Sequence, residues 1–329
     1  MIQTPMDILK EHPVRKGKKQ KQAFRWDVMT YLTRFGYEAK EEKGSFGAVN
    51  MIIGDPEKAK YLVTAHYDTP ARMLIPNLIT PKNFILFVLY QLLVALYIIL
   101  PPILISLLLT IAVAFIGAAC FLAPENGAEL GALMFLTSYF SFLILCFLNI
   151  SLLYFGPANK NNANDNTSGV VTVLEIARTL PENLREKVCF VLFDLEEKGL
   201  IGSASYRRTH KKSSDRQLII NLDCVGDGDQ ILMFPTKKLK KDRKKLTSLY
   251  KGCGYFGKKS LLVHEKGFGY NPSDYKHFPY GVGIVALRKS KFGLYLGRIH
   301  TSRDTVLEET NVNILRAAVT TLISSDAAQ

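Results

Sequence analysis

The chain has 329 residues, of which 48% are apolar and 22% are charged. This composition excludes an intrinsically disordered chain and is sufficient for one large domain or two ordinary ones. The formal net charge of +13 predicts an anionic partner, although charge alone does not choose among nucleic acid, an anionic lipid surface and an acidic peptide.

The first predicted elements are those of a soluble α/β protein. Residues 20–35 carry apolar side chains at helical spacing, and the predicted helix ends at Gly36. Short runs typical of β-strands follow at residues 49–53 and 61–64.

A long apolar block then interrupts this pattern. Almost every residue from 84 to 122 is apolar, and a second apolar stretch runs from 130 to 155. A helix needs about 20 apolar residues to span a bilayer. Core helices of soluble proteins rarely run so long without a charge, so the block predicts membrane insertion rather than two buried core helices.

The motifs described below require the segments before and after this block to meet in one site. The chain must therefore return to the side of the membrane that it left. An even number of crossings is therefore expected. We favour two, at residues 101–122 and 130–153. Residues 84–100 then either lie in the interface or extend the first helix past a kink at Pro101-Pro102.

Charge predicts the orientation of this hairpin. The turn at residues 124–129 contains Glu125 and Glu129 and no Lys or Arg. The positive-inside rule places such a turn outside and both flanks in the cytoplasm. The basic residues on the flanks are Lys58, Lys60, Arg72, Lys82 and Lys160.

Alternation of helices and strands resumes after the hairpin. The sequence therefore predicts an α/β fold with an open mixed sheet flanked by helices, interrupted by a transmembrane helical hairpin. The first part of the α/β domain is residues 1–83, the insertion is 84–155, and the second part is 156–329. The later predicted helices are residues 168–180, 202–209 and 311–324, and the later strands are 188–193, 218–222 and 283–287.

Polar residues follow several of these strands, where open α/β sheets bind their ligands. His66, Tyr67 and Asp68 come just after the strand that ends at Thr64. A neutral imidazole can bind zinc, and a carboxylate two residues away can fix its orientation. Alone, such a triplet is more typical of a surface turn.

Two further segments carry carboxylates. The run Asn164–Gly169 opens onto an apolar helix, with Thr167 or Ser168 available as N-cap; it is either a simple helix cap or a site where Asp165 bridges two cations. The strand at 188–193 runs into Glu196 and Glu197, which are either solvated loop residues or costly buried charges compensated by a cation.

Asp223 follows the strand at 218–222, and His300 comes late in the chain. Two histidines and several carboxylates at strand ends form a nitrogen- and oxygen-rich donor set suited to zinc or a related divalent ion. The five cysteines are widely spaced without a CxxC pair, which argues for a catalytic site rather than a structural zinc clamp.

Taken together, these motifs resemble the co-catalytic zinc aminopeptidases of metallopeptidase family 28. The resemblance covers the chain apart from the hairpin and implies a pair of zinc ions, or other divalent ions, and a peptide substrate. It implies His66 and Asp223 on one ion, Glu197 and His300 on the other, and Asp165 bridging both. It also implies that Asp68 orients His66 and that Glu196 is the general base. The motifs, in order, are His66-x-Asp68, Asn164-Asp165-Asn166-x-Ser168-Gly169, Glu196-Glu197, Asp223 and His300.

The sequence departs from this family in two ways. The hairpin replaces what is usually a short loop between Asp68 and Asp165. Ile299 stands before His300, where some relatives carry a tyrosine that stabilises the oxyanion. The tyrosines available as substitutes are Tyr270, Tyr275, Tyr280 and Tyr295.

The densest basic run, Lys237–Lys245, is either a solvated surface or a contact with anionic membrane lipid, and the stretch Arg15–Lys21 offers the same alternatives. Nucleic-acid binding is not expected, because no aromatic platform or zinc knuckle accompanies the charge. The rival functions are a glutaminyl cyclase, which uses a related scaffold with a single zinc, and a non-catalytic membrane scaffold. No pattern in the sequence specifies an oligomeric state.

Overall fold

The computed structural model describes residues 2–73, 75, 78–120 and 127–325. These residues form two compact units. We call Met1–Phe84 together with Ala158–Gln329 the sheet unit, and Ile85–Pro157 the hairpin unit. Pro124, Glu125 and Asn126, in the turn used above to orient the hairpin, lie outside the described residues.

A single mixed sheet organises the sheet unit. The strand order is β1-β2-β4-β3-β5-β9-β6-β8-β7, with β10 paired to the end of β9. The described strands are β1 (Ala39–Lys43), β2 (Val49–Ile53), β3 (Tyr61–His66), β4 (Val188–Phe193), β5 (Leu218–Leu222), β6 (Gln230–Pro235), β7 (Gly254–Phe256), β8 (Lys259–Val263), β9 (Gly281–Ser290) and β10 (Gly293–Tyr295).

The four central strands, β4, β3, β5 and β9, run parallel to one another. In this register His66 at the end of β3 lies opposite Phe193 at the end of β4, and Thr64 lies opposite Asn221 of β5. The carboxyl ends of these strands therefore meet at one edge of the sheet. The loops that follow β3, β4 and β5 emerge side by side there.

Helices cover both faces of the sheet. On one face α2, α5, α10 and α11 pack in the larger apolar core, and on the other α7 contributes Tyr206 to a smaller one. The described α-helices are α1 (Ile8–Glu11), α2 (Lys18–Thr33), α3 (Phe84–Cys120), α4 (Gly127–Phe155), α5 (Ser168–Thr179), α6 (Glu182–Arg185), α7 (Ile201–Thr209), α8 (Lys211–Ser214), α9 (Lys237–Lys241), α10 (Arg243–Tyr250) and α11 (Glu309–Ser325).

The α/β class and the mixed sheet are as predicted, with differences at individual elements. β1 was not predicted, because Ala39–Lys43 is almost entirely charged and forms a strand only through its antiparallel pairing with β2. The side chains of Thr167 and Ser168 do not cap α5. Ser168 instead donates to the carbonyl of Asn164.

The hairpin unit consists of α3 and α4, which by length and composition are able to cross a membrane. α3 begins at Phe84 and continues through Pro101 and Pro102, so residues 84–100 extend the first helix, the second of the two alternatives above. Prolines are tolerated inside spanning helices where neighbouring groups satisfy the freed carbonyls.

Polar side chains inside this unit form hydrogen bonds between α3 and α4. Ser106 donates to the carbonyl of Ser138 at 2.7 Å, Ser141 donates to the hydroxyl of Ser106 at 3.0 Å, and Asn149 donates to the carbonyl of Ile98 at 2.9 Å. Such interhelical hydrogen bonds satisfy polar groups that would otherwise lack partners in an apolar environment.

Candidate metal centre

The loops at the carboxyl edge of the sheet bring the predicted ligand residues together. His66 ends β3, Glu196 and Glu197 follow β4, and Asp223 follows β5. Asp165 enters from the loop before α5 and His300 from the loop after β10. Both loops lie at the same edge, so residues from five segments of the chain meet in one site.

The distances divide the site into two groups that share Asp165. One carboxylate oxygen of Asp165, Oδ1, lies 3.3 Å from Nε2 of His66, which is 3.5 Å from Oδ1 of Asp223. The other oxygen, Oδ2, lies 3.0 Å from Nε2 of His300, which is 3.3 Å from Oε2 of Glu197. Each oxygen of Asp165 thus faces a different histidine and a different second carboxylate.

Asp68 lies behind His66. Its Oδ1 is 3.5 Å from Nδ1 of His66, on the opposite side of the ring from Asp165. The same carboxylate accepts the backbone N–H groups of Glu196 at 3.0 Å and Glu197 at 3.3 Å. Asp68 therefore fixes the loop that carries the two glutamates and lies beside the imidazole of His66.

Asp304 fixes the loop of Asp165, a role that the sequence did not reveal. Its Oδ1 accepts the N–H of Asn164 at 2.8 Å, and its Oδ2 accepts the N–H of Asp165 at 3.0 Å. Burial raises the pKa of Asp304 to about 8. No signal marked this residue, because an aspartate between Arg303 and Thr305 has the pattern of a solvated turn.

Arg15 is fully buried and ties the N-terminal segment to the site. Its guanidinium donates to the carbonyl of Tyr67 at 2.6 Å and to the hydroxyl of Thr167 at 3.0 Å. Lys21 is also buried and pairs with Asp194 at 2.7 Å. Lipid contact, one of the two alternatives for the stretch Arg15–Lys21, is therefore excluded for these two residues, because both bind partners inside the protein.

The electrostatics of the site reflect many buried charges of one sign. Burial raises the pKa of Glu196, and the charge of Glu197 raises it further. Burial and the charge of Asp165 raise the pKa of Glu197 in the same way. Burial alone would raise the pKa of Asp165, but hydrogen bonds from His300 and His66 bring it below the ordinary value.

The donor set fits two divalent cations. Three groups of three residues have ligand atoms within 4.8 Å of one another. They are His66, Asp165 and Asp223; Asp165, Glu197 and His300; and His66, Glu196 and Glu197. Oε1 of Glu197 is buried and has no hydrogen-bond partner among the described residues. Buried carboxylates are costly unless a cation compensates them, and imidazole with carboxylate oxygen is a donor set typical of catalytic zinc.

Comparison with known proteins agrees with this geometry. Residues 152–323 match the family model described as peptidase family M28. This chain belongs to peptidase family M28. The match begins near the end of α4, so His66 and Asp68 of this M28 protein lie outside it, and their place in the site comes from the tertiary structure. No curated protein matches the chain.

Solved structures share the fold of this M28 protein at low sequence identity. Glutaminyl cyclase from Porphyromonas gingivalis is 16% identical with a TM-score of 0.60, covering 98% of this chain and 97% of its own. A leucine aminopeptidase precursor from Bacteroides thetaiotaomicron is 15% identical with a TM-score of 0.55, covering 97% and 95%. LapA aminopeptidase from Legionella pneumophila is 13% identical with a TM-score of 0.54, covering 99% and 71%.

A cavity of about 240 Å³ opens beside the two groups of donors in the M28 site. None of the four tyrosines considered above is among the described residues that line it. Asn271 does line it, and its side-chain nitrogen is buried without a hydrogen-bond partner among those residues. The apolar part of the wall is formed by Ile79, Leu200, Pro272, Leu296 and Ile299.

Proposed function

We propose that this M28 protein is a membrane-embedded zinc aminopeptidase that removes N-terminal residues from peptides. The observation that carries the proposal is the division of Asp165 between two histidine–carboxylate groups, one oxygen for each. A carboxylate shared in this way is suited to bridging two cations.

His66 and Asp223 would hold one zinc ion, and Glu197 and His300 the other, with Asp165 between them. Such ions, when bound, polarise the scissile carbonyl and lower the pKa of the attacking water. Other divalent ions with the same ligand preferences would fit the same donors.

Glu196 would take a proton from the attacking water and return it to the leaving amine. Burial and the charge of Glu197 raise its pKa above the ordinary value of a glutamate, which favours uptake of a proton. Asp68 would act on His66 and on the Glu196 backbone, and so would hold the site in place without touching substrate.

A free N-terminal amine carries a positive charge, and the surrounding carboxylates favour it over an internal peptide bond. The apolar wall formed by Leu200, Leu296 and Ile299 favours an uncharged first side chain. These two features support exopeptidase activity on peptides with an apolar N-terminal residue.

The hairpin unit supports insertion in a membrane. Its two apolar stretches are 11% and 0% buried within the chain, whereas the core helix of a soluble protein is mostly buried. The absence of Lys and Arg from residues 124–129 supports a cytoplasmic sheet unit. Labelling of a cysteine placed at Glu129 by an impermeant reagent in intact cells tests this orientation.

The test of the activity uses the full-length protein in detergent, with metal analysis and leucyl-peptide hydrolysis. We expect two zinc ions per chain and release of free leucine. Glu196→Gln should abolish turnover and keep the metal, whereas Glu186→Gln, which removes an exposed carboxylate outside the donor groups and the cavity, should leave turnover unchanged. Full activity of Glu196→Gln would reject Glu196 as the base.

Glutaminyl cyclase activity is the second candidate, because the Porphyromonas gingivalis cyclase shares the fold over nearly the whole of both chains. In that reaction the N-terminal amine attacks the side-chain amide of its own glutamine and releases ammonia. Peptides with N-terminal glutamine separate the two activities. Pyroglutamate and ammonia without free amino acid would replace our first proposal by the second.

A further inference from the structure

One of the segments that line the cavity also leads into the first apolar helix. Ile79 lines the cavity and pairs with Leu296, each donating its N–H to the carbonyl of the other at 2.9 and 2.8 Å. Five residues later, Phe84 begins α3. The wall of the cavity and the start of the helix are therefore joined by a short stretch of chain.

Two loops of the sheet unit contact this stretch. Phe268 packs edge-on against Phe84 with ring centroids 5.1 Å apart, and the N–H of Tyr270 donates to the carbonyl of Pro81 at 3.0 Å. Asn83 donates to the carbonyl of Phe292 at 3.4 Å. We call residues 265–270 and 289–293 the interfacial loops.

The surface at this point is apolar as well as exposed. Phe84 is 57% exposed at the start of α3, and Ile85 is 70% exposed. In the interfacial loops, Phe292 is 63% and Phe268 is 38% exposed. Exposed aromatic side chains next to a spanning helix are typical of the membrane–water interface.

The distribution of charge is also typical of a surface that faces a membrane. No Asp or Glu occurs between Asp68 and Glu125 or between Asp274 and Asp304. The one carboxylate in the interfacial loops, Glu265, lies 4.0 Å from Arg243. Four exposed lysines occur in the interfacial loops or just before α3, namely Lys82, Lys266, Lys289 and Lys291. A basic surface of this kind attracts the anionic headgroups of a bilayer.

We propose that the interfacial loops bind anionic phospholipid headgroups, with Phe268 and Phe292 inserted among them, and so hold the rim of the cavity at the membrane surface. This surface differs from the run Lys237–Lys245, and the proposal rests on membrane insertion of the hairpin unit. The geometry that supports it is the pair of contacts from the loops to residues 81–84.

The single tryptophan of the chain, Trp26, makes a direct test possible. The full-length Trp26→Phe, Phe292→Trp variant is reconstituted in vesicles of brominated phosphatidylcholine, whose bromines quench tryptophan emission at the bilayer. The matched control is Trp26→Phe, Tyr255→Trp, because Tyr255 is 78% exposed on strand β7. We expect several-fold stronger quenching at position 292 than at position 255.

Phosphatidylglycerol added to the vesicles should increase the quenching at position 292. Replacing Lys82, Lys266, Lys289 and Lys291 by Gln in that variant should remove the increase. The control variant replaces four other exposed lysines by Gln, namely Lys237, Lys241, Lys244 and Lys258. It should still show the increase in quenching. Equal quenching at positions 292 and 255, or no dependence on phosphatidylglycerol, would overturn the proposal.

Two further measurements separate this proposal from the proposed function. Leucyl-peptide hydrolysis in detergent should be the same in all these variants, because none alters a donor residue. Loss of quenching with intact hydrolysis rejects the lipid surface alone. Release of the protein from membranes by alkaline carbonate rejects membrane insertion, and the lipid surface with it.

Discussion

The sheet unit and the hairpin unit each place side chains where they are ordinarily unfavourable. In the sheet unit Asp165, Glu197 and Asp304 have carboxylates in a protein interior. In the hairpin unit large apolar side chains face outward, with Phe115 75% and Phe147 70% exposed. Buried charge and exposed apolar surface are both costly in a protein that contacts only water.

The difference between the units favours a different kind of external partner for each. A cluster of carboxylates and imidazoles is stabilised by cations, whereas an apolar surface is stabilised by lipid. Other buried charges of the sheet unit need no such partner. Arg15 is satisfied by carbonyl and hydroxyl oxygens, and Lys21 by Asp194.

The largest effect is expected at Asp165, the residue that both donor groups share. Asp165→Asn should lose both ions and lower kcat/KM by about 10³-fold, because metal stabilisation of the transition state is worth several kcal/mol. His300→Ala should lose only one ion. Metal analysis and leucyl-peptide kinetics measure both changes. Retention of two ions by Asp165→Asn would contradict a bridging role.

Leu143→Arg tests whether the apolar surface of the hairpin unit contacts lipid. A charge near the middle of a spanning helix costs about 3 kcal/mol, so this variant should insert poorly and be released by alkaline carbonate. The control is Trp26→Arg, at a position that is 69% exposed in the sheet unit, and it should stay with the membrane fraction. Unchanged membrane retention of Leu143→Arg would show that the exposed apolar face does not contact lipid.

Asp304→Asn tests the support of the metal centre without removing a ligand. An amide can accept one of the two backbone N–H groups but not both, so the loop of Asp165 loses a hydrogen bond. Residues that support ligands typically alter metal affinity by about 10- to 100-fold. Competition with a chelator measures this affinity. The exposed Asp215→Asn is the control, and equal affinity in both variants would exclude the supporting role.

The smallest effect on stability is expected at His210, whose charged partners lie within the protein. Hydrogen bonds to Glu42 and Glu57, both at 2.7 Å, raise the pKa of His210 above 6.5. The stabilisation is therefore complete below pH 6.5 and is lost as the pH rises through the higher folded pKa. After allowance for solvent screening, we expect about 1 kcal/mol.

Thermal unfolding of His210→Gln against the unmodified protein measures this contribution. The difference in Tm should be larger at pH 6 than at pH 9. The same difference at both pH values would show that His210 stabilises the sheet unit by packing rather than by charge.

Much of this architecture could be read from the sequence because it depends on local patterns. The strands at 188–193 and 218–222 were predicted with the bounds that β4 and β5 have, since each is a short apolar run bounded by polar residues. The two long apolar helices were evident from length alone. β1 was not, because its residues are charged and it depends on pairing with β2.

Some residues of the site were predicted from the sequence, and others were not. The positions of His66, Glu197 and Asp223 near strand ends were predicted from local apolar patterns. The ligand roles of these residues, and of Asp165 and His300, were predicted from the resemblance to metallopeptidase family 28. The parts played by Asp304 and Arg15 were not predicted, because each acts through hydrogen bonds with residues distant along the chain.

The sequence by itself determined the donor types, the central strands and the existence of an apolar insertion, since these follow from residue chemistry and periodicity. Only the tertiary structure decided that Asp165 faces His66 with one oxygen and His300 with the other, and that the interfacial loops contact the start of α3. Those facts depend on the parallel register of the central strands and on long-range packing, which no local pattern specifies.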